Sequence, residues 1–212
     1  MTQSPAHDRF EAALRELPLI AIVRGIKPSE AEPVAVALHG GGFRLIEVPL
    51  NSPEPFDSIA RLAAKFGDSA LVGGGTVLRW SEVHEIKAAG GGLIVSPNTS
   101  PEVIAETVKA GLISCPGYFT PSEAFVALEA GATGLKLFPA EGAAPAVLKA
   151  QRAVLPNDTP VIVVGGVRPD TMRPWIDAGA DGFGLGSGLY RAGQSPEETA
   201  EKARAYVAGL KG

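Results

Sequence analysis

Cysteine is almost missing from this sequence. Cys115 stands alone, so no internal disulfide can form and a disulfide-stapled secreted scaffold is excluded. Histidine is scarce as well. His7, His39 and His84 fall outside the strand-like runs, and no cluster of residues has metal-ligand spacing, so the expected chemistry needs neither a metal nor another cofactor. No apolar run reaches the roughly 18 uninterrupted residues of a membrane helix, because glycine, proline or charge breaks each one. Blocks of like charge are absent too. Nineteen Lys and Arg against 23 Asp and Glu give a formal charge of −4, with no basic stripe suited to a phosphodiester backbone. The opening MTQSPAHDRF lacks the charged start and apolar core of a secretory signal. Neither nucleic acid nor membrane is expected as a partner, and the cytoplasm is the expected compartment.

Glycine, by contrast, is abundant and ordered. HGGGF at 39–43, AAGGG at 88–92, KAGL at 109–112, EAGAT at 129–133 and DAGAD at 177–181 each precede an apolar run. A glycine there can take the left-handed conformation that ends a helix, after which the chain turns into a strand. The spacing allows roughly eight such helix–strand units. The strands read as LIAIVR (19–24), FRLIEV (43–48), SALVGG (69–74), GLIVS (92–96), LISCP (112–116), TGLKLF (133–138), PVIVVG (160–165) and DGFGLG (181–186). All are short and apolar, as parallel strands buried on both faces are. SEAEPVAVALHG and SPEVIAETVKAG, each opening on Ser with an acidic residue after it, read as capped helices, and a further helix over 8–16 precedes the first strand. The pattern predicts one (β/α)8 barrel domain over residues 1–212 with an extra N-terminal helix; an open doubly wound sheet is the alternative, disfavoured because no dinucleotide fingerprint follows the first strand.

In a barrel, reactive groups gather at the C-terminal ends of the strands. Alternation puts Lys136 on the face opposite Leu135 and Leu137, so leucines packed under the helices would aim the lysine inward. Desolvation there lowers an amine's pKa and frees it to attack a carbonyl. A lysine paired to a carboxylate, or one snorkelling outward between helices, fits the same letters. In FRLIEVPLNSP, Phe43, Leu45 and Glu47 share a face, which aims Glu47 inward too, as a proton carrier beside the amine or as its salt-bridge partner. Gly165 with Gly166, and Gly186 with Ser187, end strands seven and eight, where backbone amides bind phosphate in many barrels; tight turns and an N-cap explain them as well. Arg24 could hold a carboxylate or a phosphate, or be only a surface arginine, and Thr76 could hold a carboxylate or only a helix end. Cys115 reads as core.

Together, IEVPL with Glu47, GGGTVL with Thr76, SPNTSP with Pro97, GLKLFPAE with Lys136 and Phe138, VVGGV and GLGSGL resemble the 2-keto-3-deoxy-6-phosphogluconate aldolases, class I Schiff-base enzymes built on small barrels. The resemblance spans about residues 17 to 209. It implies Lys136 as the Schiff-base lysine, Glu47 as general acid and base, and Arg24 and Thr76 near the keto-acid end. Gly165, Gly166, Gly186 and Ser187 would bind phosphate, Pro97 and Phe138 would line the pocket, the substrate would be a phosphorylated keto acid, and the assembly a homotrimer. One departure stands out: Asn51 occupies the place of an arginine that contacts the pyruvate carboxylate in the phosphogluconate enzymes. Asn51, with Val164 where those enzymes often have threonine, resembles the branch of the family that cleaves 2-dehydro-3-deoxy-6-phosphogalactonate to pyruvate and glyceraldehyde 3-phosphate; losing the threonine hydroxyl would relax or invert preference at the C4 hydroxyl. The alternatives are the phosphogluconate substrate, an isomerase using Glu47 as base, and a non-catalytic sugar-phosphate-binding barrel.

Overall fold

The computed structural model describes residues 5–211. Helix α1 (Pro5–Glu16) is followed by β1 (Leu19–Ile22), α2 (Pro28–Gly40), β2 (Leu45–Pro49), α3 (Pro55–Phe66), β3 (Leu71–Gly75), α4 (Trp80–Ala88), β4 (Leu93–Val95) and α5 (Pro101–Lys109). The second half runs β5 (Ile113–Cys115), β6 (Gly117–Tyr118), α6 (Pro121–Glu129), β7 (Leu135–Leu137), α7 (Pro145–Arg152), β8 (Val161–Val164), α8 (Met172–Asp177), β9 (Gly182–Leu185) and α9 (Pro196–Gly209).

All pairings are parallel, in the order β5-β4-β3-β2-β1-β9-β8-β7-β6. Nine strands stand where eight are expected because Pro116 interrupts the fifth: its nitrogen has no hydrogen to give the ladder. One residue separates β5, which pairs with β4, from β6, which pairs with β7. Bonds from the Lys136 amide to Pro116 O (2.9 Å) and from the Thr133 amide to Ser114 O (2.9 Å) close the barrel across the break. The expected (β/α)8 barrel with an extra N-terminal helix is the fold observed.

Each of the five marked turns contains a left-handed glycine, from Gly111 at φ 76° to Gly131 at 97°. Helix starts differ from expectation. Proline, fixed near helical φ and lacking an N–H to satisfy, opens most helices at the first position. Thus α2 begins at Pro28 with Lys27 before it, and Ser100 before α5 makes no capping bond with its side chain.

Two apolar layers follow from strand alternation. Leu135, Leu137, Val161 and Val163 pack outward against the helices, while Ile20, Ile22, Leu45, Leu71, Leu93, Val95, Ile113, Cys115, Ile162 and Val164 fill the barrel. Phe43 belongs to the outer layer, not with Leu45. Strand pairing begins only at Leu45, and the Phe43 amide still bonds to Leu38 O at the end of α2 (3.1 Å), so alternation does not extend back to it. Helix α1 stoppers the N-terminal end of the barrel with Phe10 and Ala13, and Arg9 ties it down by donating to Gly67 O and Ala70 O, both at 2.7 Å. That end is plugged, so the opposite mouth is left for chemistry.

Candidate active site

Lys136 projects into the barrel from β7 and Glu47 from β2, at 6% and 1% exposure. They share a small interior space with Ile20, Ile22, Val95, Cys115, Ile162, Val164 and Gly184. Glu47 fits because β3 is glycine-rich: a Cβ on Gly75 would overlap its carboxylate, and one on Gly73 would strike the backbone of Leu93. No ion pair joins the two groups within 4.0 Å among the described residues, and Glu47 Oε2 is buried with no hydrogen-bond partner.

Burial therefore dominates both titrations. It raises the Glu47 carboxyl to about 7, against the opposing charges of Lys136 and Arg24. It also pushes the Lys136 ammonium below its ordinary value, with Glu47 pulling it back up and Arg24 adding to the depression. The Phe138 ring centroid lies 4.6 Å from Lys136 Nζ. Burial likewise lifts the Cys115 thiol to about 12, leaving it protonated core, as the sequence suggests.

Above this pair opens a cavity of about 660 Å³. Arg24, Lys136, Phe138, Val164, Gly165, Gly166, Gly186 and Ser187 all line it. Thr76 and Pro97 sit half-buried at the ends of β3 and β4 and do not line it. Thr76 has φ 57°, a conformation costly for a β-branched residue, of order 1–3 kcal/mol, and one that collects at functional sites. Arg24 NH1 donates to Asn51 Oδ1 at 2.6 Å, so the residue in the expected arginine position holds another arginine.

The structure adds Glu141, Arg168, Tyr190 and Arg191 to the lining, none of which the sequence singled out. A signal existed for Arg168 and Arg191, each within four residues of a glycine loop, but such spacing is common on surfaces. Arg191 donates to Ser187 O at 3.2 Å, and Arg168 pairs with Asp170. With Arg24 they place three guanidinium groups around backbone glycines, a lining suited to an anion. Among the described residues, no group of three or more His, Cys, Asp or Glu could hold a metal ion.

A buried, unpaired amine beside a carboxylic acid, under an anion-friendly mouth, suits iminium chemistry on an anionic carbonyl compound. The family model of KDPG and KHG aldolases matches residues 10–203. The chain belongs to the KDPG and KHG aldolase family. It is an aldolase, a carbon–carbon lyase, and Schiff-base formation is general among its relatives. The aldolase is 51% identical over 192 residues to the 2-dehydro-3-deoxy-6-phosphogalactonate aldolase of Escherichia coli strain K12, covering 91% of this chain and 94% of that one. It is 45% identical to the probable 2-dehydro-3-deoxy-6-phosphogalactonate aldolase of Rhizobium meliloti strain 1021, across 95% of each. A solved structure described as native KDPGal superposes with a TM-score of 0.91 at 50% identity, covering 92% of this chain and 95% of that one.

Proposed function

We propose that the aldolase cleaves 2-dehydro-3-deoxy-6-phosphogalactonate to pyruvate and D-glyceraldehyde 3-phosphate through a Schiff base on Lys136. The observation that carries this reading is Lys136 and Glu47 buried in one space without pairing. The substrate follows from likeness to relatives named for that compound and from Val164, which presents methyl groups to the cavity where a hydroxyl would otherwise meet C4.

Neutral Lys136 attacks the C2 keto carbon, and loss of water from the carbinolamine gives an iminium. Glu47 takes the C4 hydroxyl proton as the C3–C4 bond breaks, its electron pair flowing into the iminium to leave an enamine and release the aldehyde. Protonation of the enamine at C3 and hydrolysis then free pyruvate and restore the amine. A carboxyl poised at about 7 can accept and return protons near neutral pH. Gly165, Gly166, Gly186 and Ser187 hold the phosphate through backbone amides and the hydroxyl, with Phe138 as a wall.

The same reading takes residues 5–211 as one catalytic barrel in the cytoplasm; among the described residues no helix is long and apolar enough to cross a membrane. It also makes the enzyme a homotrimer, in which subunit contact would cover apolar residues exposed here, such as Phe125 and Val126 on α6 and Val147 on α7. Borohydride with pyruvate should fix one covalent adduct on Lys136, absent in Lys136→Ala. Active enzyme that gives no adduct would remove the Schiff base from the mechanism.

A further inference from the structure

Lys136, Glu47 and the glycine loops account for the keto carbon and the phosphate, but leave the substrate carboxylate without a holder. Two hydrogen bonds bear on this. Arg24 NH1 donates to Asn51 Oδ1 at 2.6 Å, and the Gly25 amide donates to the Oγ of buried Ser52 at 2.9 Å. The loop carrying Asn51 and Ser52 is itself anchored, since the Leu50 amide donates to Gly75 O at 2.8 Å and the Ser52 amide to Pro49 O at 2.9 Å. The end of β1 is thus latched to the end of β2 by both side chain and backbone.

Direction matters here. Strand β1 lies between β2 and β9, so the bond to Asn51 tethers the guanidinium on the side of the strand that carries Glu47, within the cavity that the glycine loops also line. Arg24 accordingly acts electrostatically on both Glu47 and Lys136. Asn51 engages one of five N–H donors, which leaves an edge free to grip a carboxylate in two places. Because asparagine is neutral, the guanidinium charge stays available to a ligand.

We infer that Asn51 is a positioning residue, which by accepting a hydrogen bond from Arg24 turns that guanidinium toward the carboxylate beside the keto carbon and away from the phosphate loops. The inference rests on the Schiff-base reading above and assigns the substrate's two anionic ends to different groups.

Borohydride trapping across a pyruvate titration tests it, because pyruvate has the carboxylate and lacks the phosphate. Half-saturating pyruvate should rise about tenfold in Asn51→Ala, as loss of a hydrogen bond to a charged group implies. It should rise further in Asn51→Asp, whose carboxylate neutralises Arg24 in an almost unchanged shape, and recover in part in Asn51→Gln, which keeps the acceptor. Inhibition of cleavage by inorganic phosphate should change less than about twofold in all three, since binding at the glycine loops does not draw on Arg24. Should Asn51→Ala not fold, the aspartate variant carries the same test. A loss that falls on inorganic phosphate, or a pyruvate dependence indifferent to position 51, overturns the inference while leaving the Schiff base standing. Absence of any adduct in the unsubstituted enzyme overturns both.

Discussion

Replacing Glu47 by glutamine exchanges an ionisable group for a neutral one of nearly the same shape, at a site where water hardly reaches. Burial moves this carboxyl from its ordinary 4.5 to about 7. At about 1.4 kcal/mol per pKa unit, keeping it ionised in the folded chain costs roughly 3 kcal/mol above neutral pH. The sign follows from proton counting. Between these two values the folded state keeps a proton that the unfolded state has released, so the enzyme loses stability as pH rises through 4.5 to 7 and levels off above. Glu47→Gln lacks that proton and escapes the loss. Denaturant and thermal unfolding of both proteins from pH 5 to pH 8.5 should therefore show little advantage for the variant at the acid end. By pH 8 the advantage should reach roughly 3 kcal/mol, a melting shift of about 6–12 °C for a chain of this size. Turnover should fall by about 10² to 10⁴, the usual worth of a placed acid or base. A stability difference flat across pH, or an unsubstituted enzyme that is the more stable at pH 8, would refute the claim that Glu47 is buried and unpaired.

The glycine loops and the C4 wall give two further tests. A Cβ on Gly186 would meet nothing within 4 Å, so Gly186→Ala should fold with unchanged stability, yet its methyl stands in the proposed phosphate space. KM for the phosphorylated substrate should rise about tenfold or more, the scale of one lost charge-assisted hydrogen bond, while trapping with pyruvate stays intact; an unaltered KM would make the loop a mere turn. Val164→Thr restores a hydroxyl at the cavity wall. The ratio of kcat/KM for the phosphogluconate epimer over the phosphogalactonate epimer should climb about tenfold or more, and an unmoved ratio would take C4 discrimination away from this position.

Local rules made much of this molecule legible. A helix that ends needs a left-handed residue, and glycine at 42, 90, 111, 131 and 179 takes that role. Alternation of Leu135 and Leu137 around Lys136 settled which way the lysine faces, because both faces of a parallel strand are buried and only one can meet the helices. The same rule failed at Phe43, where the chain had not yet joined the sheet. The break at Pro116 was there to be read, though only the ladder reveals that its two halves bond to opposite neighbours. The start of α2 was misread by seeking a Ser cap where proline opens the helix, whereas Ser100 does stand at the N-cap of α5, without a capping bond.

The sequence by itself determined the alternating architecture, the strand faces, and hence that one amine and one carboxyl point inward, because these depend on near neighbours in the chain. Tertiary structure alone decided that Glu47 and Lys136 share a dry space without touching, that Arg24 leans on Asn51, and that Glu141, Arg168, Tyr190 and Arg191 complete the mouth. Those facts depend on distances between residues tens to more than a hundred positions apart. Distances of that kind, and the dehydration that sets both pKa values, exist only once the barrel has closed.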